Sequence, residues 1–290
     1  MVYFFSIAAA LMFSFAAIMQ HREARLAPQS TSLKLALILK LLKRPIWITG
    51  MAFDAIAFLA QFLALKFGSI LLVQPILAFG LTFTILFEMF VSNRRFALRT
   101  FLMAIVSVLL VVLFLSTTVI PPGGSRVTPK DGVIVTALDL ISFVVIRLIF
   151  AKLPPAVRGV SIGTIIGVLH GSAVFVTKAA TIVLLRHGFL GLLVSWPIYS
   201  LALIAVLDIV VTQSAFQVTR LTETLPIINV AEPTVAMVLG AVMLHESLRS
   251  VFGNVFLASL FLAMAVSAIL VSLWALHMGD RHDGEKSSSR

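Results

Sequence analysis

The chain has 290 residues, 60% of them hydrophobic, 12% charged and none of them cysteine, with a formal net charge of +10. A charged fraction about half that of soluble domains excludes an ordinary soluble protein, and the lack of cysteine excludes disulfide frameworks and thiolate sites. The positive charge does not point to nucleic acid, because Lys and Arg fall in short segments between apolar runs, as membrane topology and anionic lipid dictate.

Taken in order, these runs predict an all-α polytopic membrane protein of about nine transmembrane helices. The expected spans are Val2–Met19, Ile46–Leu65, Ser69–Val91, Phe101–Ile120, Val133–Phe150, Gly159–Leu185, Val194–Val218, Leu221–Leu244 and Val251–Leu276. No Lys or Arg precedes the first run and no small-x-small cleavage site follows it, so it reads as a retained helix rather than a signal peptide. The stretch 32–42 is too short to span, and Lys34, Lys40 and Lys43 flank its leucines, which predicts an interfacial amphipathic helix. Pro121-Pro122-Gly123-Gly124-Ser125 is the clearest linker. The polar tail from Gly279 is expected to be disordered and cytoplasmic. The resulting organisation is a first repeat over 1–120, a linker with the fifth helix over 121–158, a second repeat over 159–278 and the tail 279–290.

Basic residues set the orientation. Arg22, Arg25, Lys34, Lys40, Lys43, Arg44, Arg94, Arg95, Arg99, Lys152, Arg158 and Arg220 fall on one side, together with those of the tail. The other side holds Lys66, Arg126, Lys130, Arg186 and Arg249. The positive-inside rule then places the N-terminus outside and the C-terminus in the cytoplasm.

The eighth span, within Leu225–Glu246 (LPIINVAEPTVAMVLGAVMLHE), carries Glu232-Pro233 near its middle. A carboxylate at membrane depth costs about 2.5–3.5 kcal/mol on insertion scales, and proline frees a backbone carbonyl, so this helix should face a polar cavity. Leu72–Glu88 (LVQPILAFGLTFTILFE) has the same layout, with Gln74-Pro75 answering Glu232-Pro233 and Glu88 answering Glu246, each 158 residues apart. At an offset of 154, Asp54 pairs with Asp208, Phe62 with Phe216 and Lys66 with Arg220. Spans one to three thus correspond to six to eight. Five helices separate each pair, an odd number, so the copies should insert as inverted repeats, a signature of secondary transporters.

On the stretches PTVAMVLGAVMLHE, PILAFGLTFTILFE and GVLHGSAVFVTKAA, the chain resembles the drug/metabolite transporter superfamily and its EamA-like members. The segment Arg44 to Pro75, RPIWITG…ALKFGSILLVQP, looks closest to the branch containing the NIPA-type magnesium transporters. The resemblance implies alternating access around a central cavity formed by both repeats, with Mg2+ as one candidate cargo.

The candidate solute- or ion-binding residues are Asp54, Asp208 and Glu232, with Gln74, Gln61 and Asn229. Asp54 and Asp208 lie well inside spans two and seven, where carboxylates are costly and usually functional; the bland alternative is structural neutralisation by a hydrogen bond or ion pair. Glu232 and Gln74 either contact a substrate or satisfy carbonyls that proline releases. Thr212 lies four residues past Asp208 on the same helical face. Asp139 and Lys178 read as a coupling or structural pair, with outward snorkelling of Lys178 as a further alternative. His170 reads as a hydrogen-bonded neutral histidine or a proton relay. Gly159, Gly163, Gly167 and Gly171 form a small-residue stripe that suits close helix packing. Glu88 and Glu246 end their helices and are expected at the interfaces.

There is no G-x-x-x-x-G-K-[ST] loop and no H-E-x-x-H, so no enzyme is expected. The sequence leaves a secondary transporter or facilitator of a small solute or cation in the cytoplasmic membrane, a proton-coupled exporter of a metabolite or drug, or a non-transporting membrane scaffold or accessory subunit. Expected partners are the lipid bilayer and a small solute or cation, with a homodimer left open, no nucleic acid and no cofactor.

Overall fold

A computed structural model describes residues 1–27, 33–78, 80, 83–84, 87, 109, 113, 118–119, 127–149, 152, 155–218, 221–246 and 249–250. The ninth expected span, nearly all of the fourth, the Pro121–Ser125 linker, Glu88 and the tail from Gly279 lie outside the described residues.

The helices are α1 (Val2–Ala24), α2 (Leu35–Leu41), α3 (Pro45–Phe67), α4 (Ile70–Leu77), α5 (Pro129–Ile149), α6 (Pro155–Leu193), α7 (Trp196–Val218) and α8 (Leu221–Met243). A two-residue antiparallel pair, β1 (Thr118–Val119) with β2 (Arg249–Ser250), joins the end of the fourth expected span to the chain after α8. That span therefore stops short of Thr118 rather than reaching Ile120. Among the described residues, five stretches are long and apolar enough to cross a membrane: Val2–Ala24, Pro45–Phe67, Pro129–Ile149, Gly159–Leu193 and Trp196–Gln217. Ile56, Leu59, Val133, Leu148 and Val206 are exposed on their flanks, as a bilayer-embedded protein requires.

Local chemistry explains the boundaries. Pro45 opens α3, where its missing N–H costs nothing. α1 runs past the expected Met19 because Gln20, His21 and Glu23 are buried against neighbours rather than left at the interface, and Glu23 pairs with Arg44 at 2.9 Å. In α2, Leu37 and Leu41 pack with Trp47 and Phe216 while Lys40 stays exposed, the amphipathic arrangement expected of 32–42. α6 is interrupted near its end at Gly188, whose φ of 68° and ψ of −173° suit only glycine. α8 continues through Pro226 and Pro233 without a break in helical assignment.

Packing falls into two groups. α1 lies on α3 and α4, and α6 lies on α7 and α8. Across the groups, α1 touches α7, α3 touches α6, and α4 touches α8, while α5 packs on α6 and α7. The largest core joins Ala64, Leu65, Ile70 and Val73 of the first group to Val174, Phe175, Ile204 and Leu239 of the second.

Candidate functional site

The site begins with a close approach. A Cβ on Gly167 would lie 2.4 Å from the Cβ of Ala231 and 3.0 Å from the amide nitrogen of Glu232; one on Gly171 would lie 2.8 Å from the Glu232 carbonyl oxygen, and one on Gly163 3.0 Å from the Thr224 carbonyl oxygen. Without side chains at these positions, α8 rests directly on α6, as small residues permit in membranes. The stripe is thus a packing seam, and it carries Glu232 against His170.

His170 is the centre of the resulting cluster. Its Nε2 lies 3.0 Å from Asp208 Oδ1 and its Nδ1 lies 3.2 Å from Glu232 Oε2. The imidazole thus bridges carboxylates from α7 and α8. Thr212, one turn along α7, donates its hydroxyl to Asp208 Oδ1 at 2.9 Å. Asp54 of α3 stands near enough to interact electrostatically with both Asp208 and His170, and Gln20 of α1 is its side-chain hydrogen-bond partner. Gln20 in turn accepts from Gln213 Nε2 at 2.5 Å, and Gln213 Oε1 accepts from Trp47 Nε1 at 3.0 Å. The side chains of His170, Asp208 and Glu232 keep 30%, 28% and 21% of their surface accessible. They are partly exposed polar groups drawn from three helices.

The sequence-predicted residues divide accordingly. Asp54, Asp208 and Glu232 come together, with His170 between two of them. Gln61 is buried in α3, and Asn229 is half-buried on α8, one turn before Pro233. Gln74 is 1% exposed in α4, and its Nε2 has no hydrogen-bond partner among the described residues. Gln20, Gln213 and Trp47 carry no sequence signal, being uncharged and far apart along the chain.

The expected Asp139–Lys178 pair does not form. Lys178 Nζ donates to the carbonyl oxygens of Leu65 at 2.8 Å and Gly68 at 2.7 Å. It closes the C-terminal end of α3, where a cation complements the helix dipole. Glu246 serves the other side of the same break. It is 6% exposed and accepts from the amides of Ile70 at 3.3 Å and Leu71 at 3.4 Å, the N-terminus of α4. Ser69 Oγ takes the next amide, from Leu72, at 3.2 Å. Glu246 reaches this position because α8 ends in a Schellman-type turn, with the Glu246 amide donating to the Gly240 carbonyl at 3.1 Å and His245 left-handed at φ 52°. Burial pushes the Glu246 carboxyl above its ordinary range, while the Lys178 ammonium and the two amides pull it back.

Across 271 residues the chain is 30% identical to an uncharacterized protein of Corynebacterium glutamicum, an alignment covering 92% of this chain and 93% of that one. No family model matches the chain, and no solved structure matches it.

Proposed function

We propose that this chain, which belongs to the same family as the Corynebacterium glutamicum protein, is a secondary transporter of the drug/metabolite transporter type that moves a small cation or cationic solute. The observation that carries the reading is His170 set between Asp208 and Glu232 with Asp54 beside them. Three carboxylates against one imidazole leave the cluster anionic whatever the charge on the ring. Ionisable groups at membrane depth are expensive and mark ion or substrate pathways. A scaffold has no use for them.

Two further features support the two-repeat reading. The pairing of α1 with α3 and α4 repeats as α6 with α7 and α8. The cross-contacts α1 to α7 and α3 to α6 exchange under a two-fold relation between the halves, and α4 meets its counterpart α8. On this reading about nine helices span, the halves are inverted, and they rock around the cluster.

An organic cation fits better than a directly ligated metal. Among the described residues, no group of three His, Asp or Glu side chains is placed to hold a metal ion. Magnesium as cargo would pass with its water shell, held through those waters. Uptake into proteoliposomes from a panel of labelled organic cations, neutral solutes, anions and Mg2+ tests the proposal. Saturable flux of a cation is expected, and a protein that moves no member of the panel in either direction overturns it.

A further inference from the structure

Asp139 has no part in the cluster around His170, yet it is the most deeply buried carboxylate among the described residues, at 0% exposure. It lies in α5, which packs on both α6 and α7. Neither of its oxygens has a hydrogen-bond partner among the described residues, and the same holds for the hydroxyl of Ser172, also 0% exposed. Ser172 on α6 and Asp208 on α7 are the neighbours that face the Asp139 carboxyl. One turn before Asp139, Thr136 holds α5 to α7 through a 3.1 Å contact with Ser200. Ser172 follows His170 by two residues, and helix positions two apart do not share a face. This pocket is therefore separate from the His170 cluster, with Asp208 lying between the two.

Among the described residues these three buried oxygens have no partner within hydrogen-bonding distance, and Ser172 is a side chain near enough to Asp139 to interact with it. A carboxylate left so is strongly unfavourable, and a hydroxyl in the same state incurs its full desolvation penalty. Lys178, the one cation that the sequence offered as a partner, is committed to Leu65 and Gly68. What completes the group must be small, positive and suited to hard oxygen ligands.

We propose that Asp139 and Ser172 form a second site, for one monovalent cation, H+ or Na+, and that this is the coupling ion. The proposal rests on the transport reading for its role, while the site itself stands on the burial of Asp139 and Ser172 and on their lack of hydrogen-bond partners among the described residues. Through Asp208 the ion is linked to the solute cluster: filling one site changes the field at the other. α5, which has no counterpart in the repeats, gains a specific task as the helix that supplies the coupling carboxylate.

The test reads cation occupancy rather than flux, so the site and the transport reading fail separately. The full-length protein in nanodiscs is titrated with NaCl against choline chloride at fixed ionic strength, with unfolding temperature as the readout. Its infrared spectrum is scanned in parallel for the carbonyl band of a protonated carboxylic acid. Sodium occupancy gives stabilisation specific to Na+ that Asp139→Asn abolishes. Proton occupancy gives a carboxylic-acid band that Asp139→Asn removes, with no preference for Na+ over choline. Ser172→Ala keeps the carboxylate and should weaken apparent Na+ affinity by about tenfold or more, the usual scale for losing a supporting group at a cation site, or else shift the acid band. An Asp139→Asn protein that keeps both the wild-type sodium response and the wild-type acid band overturns the proposal. Should Asp139→Asn fail to fold, Ser172→Ala decides by the same readouts, and an unchanged response overturns the site.

Discussion

Gly167→Ala probes how the cluster is built. In an exposed helix this change stabilises by about 0.5–1 kcal/mol. Here the new Cβ would sit 2.4 Å from the Cβ of Ala231 and 3.0 Å from the amide nitrogen of Glu232. Carbon atoms need about 3.5–4.0 Å, so α6 and α8 must part by roughly 1–1.5 Å. A shift of that size carries the 3.2 Å contact between His170 and Glu232 beyond hydrogen-bonding range. Overpacking costs about 1–3 kcal/mol, and an interhelical polar contact in a membrane is worth about 0.6–1.7 kcal/mol. Both oppose the propensity gain, so the net expectation is a loss of about 0.5–4 kcal/mol. Thermal unfolding in detergent measures this, and proteoliposome flux reports the damaged site. Ala231→Gly in the same background removes one of the clashing carbons and should recover part of both, giving a favourable coupling energy in the double-mutant cycle. A Gly167→Ala protein as stable and as active as the wild type would refute the close-approach account.

Other perturbations have equally definite outcomes. Lys178→Met leaves the Leu65 and Gly68 carbonyls and the Glu246 carboxylate without their cation, and should lower stability by about 1–3 kcal/mol in chemical unfolding. Glu246 gives a pH signature. Its folded carboxyl is raised by burial, so its share of stability is full below the unfolded carboxylate range and falls as pH rises through the folded value; Glu246→Gln should flatten that part of the stability-pH profile. A C-terminal fluorescent fusion should light up in the cytoplasm and a C-terminal alkaline phosphatase fusion should be inactive, as the basic-residue asymmetry dictates.

Much of this arrangement was legible before any coordinates. Apolar runs of bilayer length located α1, α3, α5, α6, α7 and α8, because length and hydropathy are local properties. Asp54, Asp208 and Glu232 stood out because charge inside such runs is rare, and the glycines at 163, 167 and 171 announced a packing seam through their four-residue spacing. What escaped was azimuth. Asp139 and Lys178 sit in spans adjacent in sequence, yet Lys178 turns to the α3–α4 break, a direction that no local pattern encodes. His170 looked ambiguous because its partners lie on α7 and α8, at distances along the chain that only tertiary packing closes. The contact of Glu246 with α4 is not legible either, because the left-handed turn at His245, which folds it back, carries no glycine to signal it.

The most direct test of the central claim is flux of the same solute panel through the Asp54→Asn, Asp208→Asn double variant reconstituted beside the wild type. Each change keeps side-chain size and removes a charge whose burial opposes insertion, so the variant should insert and fold. The account predicts that it loses most transport of whichever cation the wild type carries. Undiminished flux in that variant would contradict the assignment of the cluster as the transport site.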